Sequence, residues 1–222
     1  MHIEPGLVSD AKLVLGHATG AAALGGMALA AARDGRRGLS SLAARAGIAT
    51  AAVLVFFQVL PHAPVGVSEV HLILGSTLLL VLGAAPAALG LAGGLLLQGL
   101  LFAPFDLPQL GMNVTTLLAP LLGLHWLSRR VIAPSTPYVD LRYGQVLALS
   151  AAYQGGIVAW VAFWALWGEG LAAWPSIATF GAAYMAVVLL EPLVDLAVLA
   201  GAKGTRALQG SGLVTPRLFA AA

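Results

Sequence analysis

The chain opens Met1-His2, and these two residues carry three nitrogens that can act together: the terminal amine, the backbone nitrogen of His2 once deprotonated, and the His2 imidazole. Two adjacent chelate rings would close around one ion and set the three donors nearly in a plane. A fourth nitrogen completes a square, a geometry that suits Ni(II) or Cu(II) far better than zinc or magnesium. Two histidines are placed to supply it, His62 after Pro61 and His71 at the head of a long apolar run. A bulky residue at position two protects Met1 from aminopeptidase removal. No basic stretch followed by an apolar one precedes Lys12, so this start is expected to remain on the mature protein. Cysteine is absent, which excludes thiolate metal sites, disulfides and thiol nucleophiles and leaves nitrogen and oxygen as donors.

The elements that must position these donors are membrane helices. Of the 222 residues 59% are hydrophobic and only 9% charged, a balance that water-soluble domains seldom show. Aromatic residues are few and glycines number 27, so helices are expected to approach closely through small side chains. The net charge of +2 does not indicate a nucleic-acid partner, because the basic residues sit in short loops and form no continuous patch.

Apolar stretches of roughly 20 residues match a hydrocarbon core of about 30 Å. They fall at 13–32, 43–60, 70–103, 111–127, 145–167 and 177–202. The third is too long for one helix, and Gly83-Ala84-Ala85-Pro86 supplies a turn within it. The expectation is an all-α polytopic membrane bundle of about seven transmembrane helices. Ten of the eleven Lys and Arg residues then fall on one side, leaving Lys12 opposite, which places the N-terminus outside and the C-terminus in the cytoplasm. Residues 1–202 read as one transmembrane domain with a metal-binding segment at 1–8, and 203–222 as a flexible cytoplasmic tail. No Walker A loop is present, since GAKGT lacks its spacing. If the protein moves something uphill, the energy is expected to come from elsewhere.

Glu191 and Asp195 are the unusual pair. They lie four apart, on one helix face, at or below the middle of the last span, where ionisable groups face the bundle or a partner. Pairing with Arg129, Arg130 or a partner's base, protonation, and a proton relay are all open readings. His17 and His125 read as packing or interfacial residues. Ala18, Ala22, Gly26 and Ala30 form a small-residue stripe on the first helix.

MHIEPG, SEVHLILG, LLLQGLLF and LGMNVTTLL occur in an order that resembles the CbiM/NikM family, the substrate-binding membrane components of energy-coupling-factor cobalt and nickel transporters. The resemblance covers the first five helices best. It implies a metal held by the amine and amide of Met1-His2, the His2 ring and His71, with Gln98 and Asn113 holding the N-terminal segment. It also implies a bacterial plasma or inner membrane location. The implied partners are a transmembrane coupling component, ATP-binding cassette ATPases and a small accessory membrane subunit. Ni(II) or Co(II) is then the transported substrate, and no organic cofactor is expected. Two departures stand out: Glu4-Pro5-Gly6 where relatives place the acid directly before glycine, and Glu69-Val70 where they have a shorter approach to the histidine. Glu69 reads either as an acceptor orienting His71 or as a solvated loop charge.

Two rival functions follow from the carboxylate pair. One is a stand-alone secondary permease for metals or solutes with Glu191 as the coupling group. The other is an intramembrane enzyme using Glu191 and Asp195, against which HExxH and any nucleophile motif are absent.

Overall fold

A computed structural model describes residues 3–4, 7–33 and 38–208. Met1, His2 and the tail from 209 onward lie outside the described residues. Helices dominate: α1 (Asp10–Arg33), α2 (Gly38–Gln58), α3 (Gly75–Leu82), α4 (Ala84–Leu101), α5 (Leu110–Val131), α6 (Tyr143–Glu169) and α7 (Trp174–Ala207). Between α2 and α3 the chain forms an antiparallel hairpin of β1 (Ala63–Val65) and β2 (Ser68–Val70). Its two-residue turn begins at Gly66, φ +61, the left-handed backbone that a tight hairpin turn requires at that position. The expected outer loop between the second and third spans is therefore a small sheet.

Helices α2, α4 and α5 are each long and apolar enough to cross a membrane, as is the stretch Tyr143–Arg206 that α6 and α7 form together. The chain is a multi-pass membrane protein. The α6–α7 stretch is interrupted where Trp167 and Gly168 leave helical geometry, and a 3₁₀ turn, Gly170–Ala173, redirects it. Pro175 then sits in the first turn of α7, where its missing N–H costs nothing.

One expected span differs. The break falls at Gly83 (φ 98, ψ 161), inside the turn read from the sequence. Upstream of it, however, α3 has only eight residues, about 12 Å of helix, too short to cross alone. Residues 71–74 carry no regular structure, and Leu74 stands in the left-handed region at φ 54, ψ 31. The expected third span is therefore not one continuous helix, and its first residues are irregular. Irregular backbone at membrane depth persists only where protein groups satisfy it, and α7 supplies them, as described below.

Small residues seat the regular helices against one another. A Cβ on Gly90 would lie 2.8 Å from the Ala49 backbone, so α4 touches α2 directly. A Cβ on Gly111 would lie 2.6 Å from the His17 backbone nitrogen, which seats α5 on α1. Thr115 reinforces that seam by donating from Oγ1 to the Gly16 carbonyl, 3.1 Å. Such close approach lets membrane helices gain dispersion contact without bulky side chains.

The bundle has two distinct ends. At one, Arg45 donates from Nη1 to the Leu82 carbonyl at the end of α3, 2.5 Å. This cation at a helix C-terminus meets the negative end of the dipole. Leu80 packs there with Leu141, Val146 and Leu199, and Arg206 pairs with Asp140 at 2.7 Å. The hairpin, the ends of α2, α4 and α6 and the starts of α5 and α7 make up the other end.

Candidate metal-capture site at the hairpin end

Ile3 is the best-anchored residue of the N-terminal segment. It forms an antiparallel bridge to Ser68 on the free edge of β2, and the next backbone N–H, of Glu4, donates to the Val67 carbonyl at 3.2 Å. Its own N–H donates to Asn113 Oδ1 at 2.9 Å, while its carbonyl accepts from Gln109 Nε2 at 3.0 Å. With the side chain 1% exposed, both backbone polar groups must find partners inside the protein, and two amides from the start of α5 provide them. Further along, Lys12 turns back to donate from Nζ to the Leu7 carbonyl, 2.7 Å. The segment ahead of α1 is thus held at three points.

His71 follows β2 directly and is 1% exposed. Its ring packs on Phe57, with centroids 4.2 Å apart and planes inclined at 51°. Nδ1 lies 3.2 Å from the Leu72 carbonyl. Since a carbonyl can only accept, this contact puts the ring proton on Nδ1 and the lone pair on Nε2, the atom that a metal would take. Gln98 donates from Nε2 to the Phe57 carbonyl at 3.3 Å, so this amide of α4 steadies the residue against which His71 stacks.

His62 is placed differently. Its Nδ1 lies 3.0 Å from the Leu60 carbonyl and its Nε2 3.9 Å from Glu69 Oε1, with a third of the His62 side chain exposed. Glu69 stands across the hairpin from Pro64. Among the described residues no three His, Asp or Glu side chains converge on one point. The described part of the expected ligand set is the His71 imidazole, and Met1 and His2 lie outside the described residues.

Gln109 and Asp106 escaped the sequence reading. Gln109 donates to Asp106 Oδ1 at 2.9 Å as well as to Ile3, and both side chains are buried. The signal that could have found them is two polar residues in an otherwise apolar loop, PFDLPQLG, immediately ahead of LGMN. Thr116 accepts from Trp164 Nε1 at 3.1 Å, tying α5 to α6 behind the site. His17, exposed on α1, meets the Pro108 carbonyl through Nε2 at 3.1 Å, a hydrogen bond to the loop ahead of α5.

Glu191 and Asp195 lie elsewhere, along the middle of α7, and both are fully buried. Arg129 and Arg130 are not their partners. The Ile73 N–H donates to Glu191 Oε1 and Gln154 Nε2 to Glu191 Oε2. Ser76 Oγ donates to Asp195 Oδ2 at 2.5 Å and Thr77 Oγ1 to Oδ1.

A family model described as the CbiM cobalt uptake substrate-specific transmembrane region matches residues 2–207. Neither a curated protein nor a solved structure matches the chain.

Proposed function

We propose, from the premise that this chain belongs to the CbiM family of cobalt uptake substrate-specific transmembrane regions, that it is the metal-capturing component of an energy-coupling-factor type transporter. It takes one Co(II) or Ni(II) ion as substrate, through the Met1 amine, the His2 backbone nitrogen, the His2 imidazole and His71. The observation that carries this reading is the direction of the Ile3 bridge. Ile3 is an antiparallel partner of Ser68 and Glu4 bonds back to Val67, so the amino side of Ile3 faces the Val70 and His71 end of β2.

The chemistry is chelation by nitrogen. Imidazole and amine bind a divalent first-row ion only when unprotonated, so metal and proton compete and release is favoured when the donors are reprotonated. His71 is assigned the fourth position over His62 because its ring is buried beside the hairpin edge that Ile3 joins. Asn113 and Gln109 fix the backbone from which the chelating residues extend, and Gln98 acts through Phe57. Capture takes place at the hairpin end, on the outer face. Transport draws on ATPases and a transmembrane coupling protein supplied by other chains, in keeping with the lack of a phosphate-binding loop here.

The test is titration of the purified full chain with CoCl2 and NiCl2, followed by visible absorption. One ion per chain is expected. H71A is expected to lose more affinity than the about 10–100-fold typical of removing a group that merely supports a ligand, and H62A to bind as wild type. Unchanged binding by H71A refutes the site.

A further inference from the structure

We propose that Glu191 and Asp195 are positioning residues of the metal site: from the middle of α7 they hold the irregular first residues of the third span in register, and so set where His71 stands. The inference rests on the reading of His71 as a metal ligand.

The residues that carry His71 into α3 have little bonding of their own. Residues 71–73 lie in neither helix nor strand, and Leu74, whose carbonyl accepts the first bond of α3 from the Leu78 N–H at 3.0 Å, occupies a left-handed backbone conformation that costs an ordinary L-residue about 1–2 kcal/mol. Upstream, β2 fixes the chain as far as Val70. Downstream, Glu191 takes the N–H of Ile73, two residues after His71, and Asp195 takes the hydroxyls of Ser76 and Thr77 in the first turn of α3. Four residues apart, the two carboxylates are one helical turn apart on the same face of α7, matching the advance of the bonded groups along residues 73–77. Asp195 also sits at the positive end of the α3 dipole.

The carboxylate of Glu191 is itself aimed. Gln154 of α6 donates to its second oxygen, and Tyr184 donates to Gln154 Oε1 at 2.6 Å. Glu191, Asp195, Gln154, Tyr184 and Ser76 are all fully buried, so no solvent competes for these bonds. A bonded chain therefore runs from α6 and α7 to the backbone two residues from the imidazole. The pair neither touches the metal nor needs to move a proton; it fixes geometry.

The experiment uses the full chain in detergent and titrates NiCl2 into wild type, H71A, E191L, E191Q and Q154L, reading affinity, the visible absorption of the bound ion and metal-free thermal unfolding. E191L is expected to bind about tenfold more weakly with a shifted absorption band. E191Q keeps an acceptor for Ile73 but turns an amide NH2 toward the Gln154 donor, and is expected to recover only part of both. Wild-type affinity and band in E191L overturn the inference. If E191L does not fold, Q154L decides: it leaves the α3 contacts in place but frees the carboxylate, and a band and affinity identical to wild type then overturn the inference. Undiminished binding by H71A would instead remove the parent reading, whereas loss in H71A with no effect in the α7 variants removes this inference alone.

Discussion

The seam between α2 and α4 and the crossing made by residues 71–82 pass through the same bundle and are held in opposite ways. In the seam, Ala49 and Val53 fit against Gly90 and Gly94, and shape does the work. In the crossing, backbone that forms no helix of its own is fastened by carboxylates, hydroxyls and amides. Packing of the first kind degrades gradually and carries little information about register. Hydrogen bonding of the second kind fails in steps, because each buried group left without a partner keeps its full desolvation penalty. On the proposed function, holding one imidazole in place gives reason to use the second kind next to it and the first kind elsewhere.

Four substitutions break or sharpen that contrast. The double change S76A/T77V leaves the Asp195 carboxylate buried without either hydroxyl and is expected to cost about 3 kcal/mol or more, read as lower resistance to chemical unfolding in micelles. A cost near zero would mean that the polar crossing is no more demanding than the apolar seam. Next, Gly90→Ala sets one methyl against the Ala49 backbone at the α2–α4 contact and is expected to cost about 1–3 kcal/mol, while the folded fraction keeps its metal absorption spectrum. A changed spectrum would show that the seam also sets the site.

Asn113→Ala removes the acceptor for the Ile3 N–H and is expected to weaken metal binding about tenfold, with about 1 kcal/mol of metal-free stability lost; isothermal titration and unfolding measured side by side separate the two. The smallest effect is expected at the opposite end. The Tyr138 hydroxyl is buried and has no hydrogen-bond partner among the described residues. Burial first, and the Asp195 charge second, push its ionisation up to about 12. Tyr138→Phe should therefore be neutral, or stabilising by up to about 1 kcal/mol. Because the phenol of the folded protein ionises later than that of the unfolded chain, the stability it contributes is full below pH 10 and is lost as pH rises toward 12. The variant lacks that loss, which unfolding at pH 8 and pH 11 would detect.

The parts that sequence made legible are those encoded locally. Uncharged runs marked the long helices, Gly83 close to Pro86 marked the break, and SEVHL and GMN marked residues that the fold gathers at one end with Ile3, while Met1 and His2 of MHI lie outside the described residues. The irregular start of the third span was not legible, because HLILGSTLLLVL is apolar throughout and its pattern is the same for helix and for buried extended chain. Arbitration comes from Glu191, which is 118 positions from Ile73, and no local window contains both. The same distance explains why the sequence offers a coupling or catalytic reading of the carboxylate pair and not these contacts: its partners are a backbone N–H, two hydroxyls and an amide, which leave no charged counterpart to be noticed. Gln109 was missed for the converse reason, since its partner is the carbonyl of Ile3, a group that every residue possesses.

The bridge between Ile3 and Ser68 turns the front of the chain into a ruler. On the proposed function, one residue inserted ahead of Ile3 would leave the bundle intact yet move the chelating amine by up to about 3.3 Å, one step of extended chain. An affinity tag on that end is then expected to yield a well-folded protein that no longer binds metal, whereas the same tag after residue 208 would be silent.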